Sequence, residues 1–111
     1  MAVPKLALPS HVHPLGVRFQ VDIVETVDET GAVGETAAEL RRIKIGAGQD
    51  TRRRWTTLLH EYLHATLDIV GAASVLDDDL EEVIVQSLEH SLEQFFRAHG
   101  KDFLKALEVQ E

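Results

Sequence analysis

In "TLLHEYLHATLDIVG", His60 and His64 stand four residues apart, with Glu61 directly after the first. On a helix this spacing separates the two side chains by only about 40° around the axis, so both imidazoles can reach one cation. Glu61 lies beside them and points aside, where a carboxylate stays off the metal. There it can take the proton of a water that attacks a polarised carbonyl. Two ligands and a base then come from little more than one helical turn. The bland alternative is an amphipathic helix whose two histidines are hydrogen-bonded core residues. A di-iron bundle would use Glu61 and His64 as a Glu-x-x-His pair, but it requires a second such pair and the chain has none.

These residues need a helix to carry them. Trp55, Leu58, Leu59, Tyr62, Leu63, Leu67 and Val70 recur at helical spacing, Asp50 or Thr51 can cap the start, and Gly71 ends the pattern. Before it, Val17, Phe19, Val21 and Ile23 alternate with Arg18, Gln20 and Asp22, the period of a half-buried strand. The segment "DETGAVGETAAEL" reads as a turn or loop. It leads to residues 42–45, where Ile43 and Ile45 alternate with Arg42 and Lys44 as in an edge strand blunted by charge. After the loop "GAASVLDDD", acidic residues crowd the start of a second long helix, where they suit the macrodipole. That helix is expected to stop near His99 and Gly100, with "KDFLKALEV" as a short final helix.

All three prolines fall in the first 14 residues, so residues 1–15 are expected to be an extended arm and residues 16–111 a single domain. The fold class expected is α+β: a small antiparallel sheet packed on the two helices, with the metal between them. With no cysteine, any metal must be held by nitrogen and oxygen. A formal charge of −8 would repel a phosphate backbone, which argues against nucleic acid; the cluster Arg52, Arg53 and Arg54 reads as a solvated helix start. No apolar run is long enough to span a bilayer, and the N-terminus lacks the apolar centre of a secretory signal, so a cytoplasmic location and no membrane partner are expected.

A catalytic zinc usually has three protein ligands and one open position. The downstream candidates for the third are Asp68, Asp77, Asp78, Asp79, Glu81, Glu82, Glu89, His90 and His99. Asp68 shares the histidine helix and suits a supporting place better than a ligand's, while the aspartates have a sufficient role at the helix start. Projection of the second helix leaves Glu81 and Glu82 both open. Leu67 and Val70 occupy positions where a metzincin needs Gly and His, which excludes that class. No oxyanion-stabilising group is identifiable: Tyr62 is the only tyrosine and faces away from the histidines.

"RRIKIG", the histidine helix and "LEEVIVQSLEHSLEQFF" together resemble the small gluzincin-like metallopeptidases of phage and prophage, related in layout to the ImmA/IrrE group. The resemblance covers roughly residues 17–99. It implies a zinc-dependent peptidase with Glu61 as general base and His60, His64 and Glu82 as ligands. It also favours Glu82 over Glu81, in keeping with the polar Gln86 one turn on. A peptide or protein substrate is expected to add as a further strand to the edge at residues 42–45. The alternative is a non-catalytic, zinc-containing interaction or regulatory module of phage or prophage origin.

Overall fold

The computed structural model describes residues 6–109. Alternating apolar and polar residues form the strands β2 (Phe19–Val24) and β4 (Arg42–Gly46). Phe19, Val21, Ile43 and Ile45 are buried, whereas Gln20 and Arg42 are exposed. Two further strands come from segments where no strand was expected. β1 (His11–Val12) lies in the expected arm, and β3 (Gly34–Ala37) in the expected loop.

The order across the sheet is β1-β2-β4-β3. β1 pairs antiparallel with β2 and β3 antiparallel with β4, but β2 and β4 run parallel, with Val21 opposite Ile43 and Ile23 opposite Ile45. The sheet is therefore mixed and not antiparallel as expected. Residues 42–45, expected at an edge, lie inside it with a strand on each side. Alternation reports which face is buried, and it is the same for either strand direction and any strand order. Both edges of β4 being paired, no peptide can add there, and the free edge on that side of the sheet belongs to β3.

The arm is also more firmly placed than expected. Pro14 is buried, Leu8 and Val12 pack on the core, and the Trp55 indole N–H donates to the Leu6 carbonyl at 3.2 Å. Residues 1–5 of the expected arm lie outside the described residues.

α1 (Thr51–Ile69) starts where the Asp50 side chain accepts the Arg53 backbone N–H at 2.9 Å, and the chain turns away at Gly71, whose φ is +80°. Leu58, Ala65 and Ile69 join Phe19, Val21, Ile43 and Ile45 in the core, so α1 lies across the sheet. Trp55 and Val70, expected on the buried stripe, are 40% and 60% exposed. α2 (Asp78–Leu107) is capped by Asp77, which accepts the Leu80 N–H at 2.7 Å, and packs against α1 with Val85 fully buried. It passes through Gly100 without a break, so the expected stop and separate final helix are one continuous element. An interior glycine costs about 1 kcal/mol relative to alanine, too little to end a helix whose next residues are good helix formers. No described helix is long and apolar enough to cross a membrane.

Truncation of a core strand residue tests this register. Ile43→Ala should lower the unfolding free energy by about 2–5 kcal/mol in denaturant titration, as expected for a fully buried side chain. Ile23→Ala, on the same alternation but half exposed, should cost less than about 1 kcal/mol.

Candidate metal centre

α1 and α2 run antiparallel, which brings the histidine turn of α1 against the first three turns of α2. His60 Nδ1 lies 2.8 Å from Glu89 Oε1, and His64 Nδ1 lies 2.5 Å from Glu81 Oε2. With its Nδ1 engaged by a carboxylate, each ring is turned so that Nε2 points inward. The two Nε2 atoms meet the two oxygens of one carboxylate: His60 Nε2 is 2.9 Å from Glu82 Oε1, and His64 Nε2 is 3.0 Å from Glu82 Oε2. The ring centroids stand 4.9 Å apart.

Two ring nitrogens and two carboxylate oxygens thus lie side by side, a donor set that could hold a cation. One ligand atom from each of His60, His64 and Glu82 can be chosen so that all lie within 4.8 Å of one another. Zinc bonds of 2.0–2.2 Å at tetrahedral angles imply separations of roughly 3.3 Å, so these side chains could surround zinc after adjustments on the order of an ångström. The His60 and His64 side chains are 17% exposed, whereas that of Glu82 is 44% exposed, so the cluster opens toward solvent on the Glu82 side.

Glu61, between the two histidines in sequence, faces the sheet side of this opening. It is 7% exposed, and the Thr36 hydroxyl on β3 lies 2.9 Å from both its Oε1 and its backbone carbonyl oxygen. Burial pushes the Glu61 carboxyl above the usual carboxylate range, against the opposing pull of the Thr36 hydrogen bond and of the two imidazoles. A carboxyl so raised is a better proton acceptor than an exposed one. Gly34 leaves the room that Glu61 fills, since a Cβ there would stand 2.5 Å from Thr57 Cγ2 and 2.9 Å from Glu61 Oε2. Gln49 holds the neighbouring backbones together. Its side-chain amide donates to the carbonyls of Val33 and Gly46, each at 3.2 Å, and accepts from the Thr57 hydroxyl at 2.8 Å.

The cluster lies in a cleft of about 1130 Å³ between β3 on one side and α2 on the other. Of the sequence candidates for a third ligand, Glu82 joins the histidines. Glu81 and Glu89 instead bind the outer nitrogens of the rings. Asp68 and His90 line the cleft without entering the cluster. Sequence reasoning left three supports unassigned: Glu89, Thr36 and Gln49. Glu82, Gln86, Glu89 and Glu93 recur at helical spacing along one side of α2, a pattern that could have flagged Glu89; Thr36 and Gln49 carry no such signal.

No protein-family model, curated protein or solved structure matches the chain, so assignment of this site rests on its geometry.

Gly34→Ala should lower stability by about 1–3 kcal/mol in denaturant titration, because the added methyl must displace Thr57 or Glu61. An unchanged midpoint would mean that β3 does not approach α1 this closely.

Proposed function

We propose that the chain is a zinc-dependent peptidase of the small gluzincin-like kind, with His60, His64 and Glu82 as metal ligands and Glu61 as general base. The observation that carries this reading is the convergence of two imidazole nitrogens and a carboxylate beside a buried glutamate, at the open floor of a cleft. A nitrogen and oxygen donor set of this size suits zinc and leaves its fourth position to water or substrate. Bound there, zinc would make a water more acidic and polarise a substrate carbonyl.

The protein's own residues supply the rest. Glu81 and Glu89 hold the imidazoles with Nε2 inward. Glu61 accepts the proton of the attacking water and delivers it to the leaving amine nitrogen, and Thr36 keeps its carboxylate directed. The free edge of β3 offers main-chain groups to an extended peptide, which places the substrate along the cleft as an added strand. This replaces the docking expected at residues 42–45.

Elemental analysis should find about one zinc per chain after zinc exposure and dialysis, and none held stoichiometrically by His60→Ala, His64→Ala or Glu82→Ala. Glu81→Ala and Glu89→Ala should retain the site but weaken it by about 10- to 100-fold in competition with a chromophoric chelator. An unmutated protein without stoichiometric zinc would sink the reading.

Glu61→Gln separates enzyme from binding module. It should keep zinc and thermal stability, because the amide preserves shape and removes a buried charge, yet lose peptide hydrolysis by at least roughly a hundredfold. Mass spectrometry of an unbiased peptide mixture supplies the activity readout. Equal cutting by both forms would remove Glu61 from the mechanism.

A further inference from the structure

The three consecutive arginines at the start of α1 have separate environments. The Arg52 guanidinium donates to Glu93 at 2.8 Å, and Glu93 also accepts from Arg97 at 2.9 Å. Arg54 donates to the carbonyls of Gln49 and Ala47, closing the loop before the helix. Arg53 is exposed, lines the cleft and has no ion-pair partner among the described residues. It precedes His60 by seven residues, which on a helix is nearly the same face and about 10 Å along the axis. At the opposite end Asp68 lines the same cleft about 6 Å beyond His64 along that axis. Before the histidines the cleft thus carries the Arg53 guanidinium, with Asp50 at the helix start and Glu93 held by Arg52, and after them it carries the Asp68 carboxylate.

The direction of β3 fixes which end of a peptide meets which charge. Val33 is held by Gln49, ahead of α1; Gly34 sits against Thr57; and Thr36 bonds to Glu61. β3 thus runs in the same direction as α1. A peptide added antiparallel to β3 has its N-terminal side near Asp68 and its C-terminal side near Arg53. At about 3.3 Å per extended residue, the 10 Å from the cluster to Arg53 corresponds to three residues.

On the basis of the peptidase reading, we propose that Arg53 is a specificity residue that pairs with a substrate carboxylate two to four residues after the cleaved bond, borne by an acidic side chain or by the peptide's C-terminus. Asp68 disfavours the reversed orientation by repelling the same carboxylate at the other end.

A randomised decapeptide library, made once with free C-terminal acids and once with C-terminal amides, tests this on the zinc-loaded protein at low salt. Cut sites are read by mass spectrometry. Asp and Glu should be enriched about fivefold at the second to fourth residues after the cut, the upper range for an exposed ion pair, and the enrichment should fade in 0.5 M salt as about 4 Å of screening length remains. Preferential cutting two to four residues from the end in the acid library, absent from the amide library, identifies the C-terminal carboxylate as a second source. Arg53→Lys should keep the preference, Arg53→Gln should abolish it and Arg53→Glu should shift it toward Lys and Arg, all with unchanged zinc content. Cutting by the unmutated protein without acidic enrichment, or a profile unchanged in Arg53→Glu, overturns the inference and leaves the peptidase reading standing. Stoichiometric zinc with no cutting of either library overturns both.

Discussion

An imidazole has two nitrogens, and two histidines can share one cation only if one nitrogen of each ring is held toward it. That orientation is the constraint on which the rest of this structure turns. Glu81 and Glu89 impose it from α2 by engaging the outer nitrogens, and they can do so only because α2 runs antiparallel to α1 at a fixed height. Burial of Val85 and the Asp77 cap set that height. The carboxylate of Glu82 then reaches both inner nitrogens at once, at 2.9 and 3.0 Å. The second helix is thus a precision part of the proposed metal site as well as a packing partner.

The base has different requirements from the ligands. A glutamate that is to accept a proton gains from burial, which disfavours its charge, and burial of a carboxylate is costly unless it is hydrogen-bonded. β3 meets both demands. Gly34 admits the side chain and Thr36 supplies a donor, so the strand that shapes the base is also the strand whose outer edge is free. Gln49 links that strand to the end of β4 and to α1, which holds base and edge in one register. In the proposed reaction the same few residues of β3 would place the peptide and hold the group that acts on it.

The charged groups around the cleft follow helical geometry. Successive residues turn about 100°, so Arg52, Arg53 and Arg54 point respectively toward α2, into the cleft and back onto the preceding loop. The Arg52 guanidinium beside Glu93 holds that carboxyl below its usual range, and among the described residues Arg53 is the arginine of the cleft without an ion-pair partner. In a chain of formal charge −8, an arginine unpaired among the described residues would, in the proposed reaction, give an approaching peptide a preferred direction.

The sequence by itself determined the local features: the histidine helix and its Asp50 cap, the inward faces of β2 and β4, the acidic start of α2, and the placement of His60, Glu61 and His64 on one stretch of surface. Each depends on residues within a few positions of one another, where the periods of helix and strand leave little choice. Glu82 was favoured through a family resemblance, because helical projection alone could not separate it from Glu81. In the tertiary structure the Glu82 carboxylate lies at the inner nitrogens and that of Glu81 at an outer one. Tertiary structure also decided that β4 is interior and β3 the edge, since strand order depends on which distant segments pair and not on the alternation within any of them. Thr36, Gln49 and Glu89 gained their roles in the same way: they lie 25, 8 and 29 residues from the groups they hold, and those separations become contacts only once the sheet and both helices are packed together.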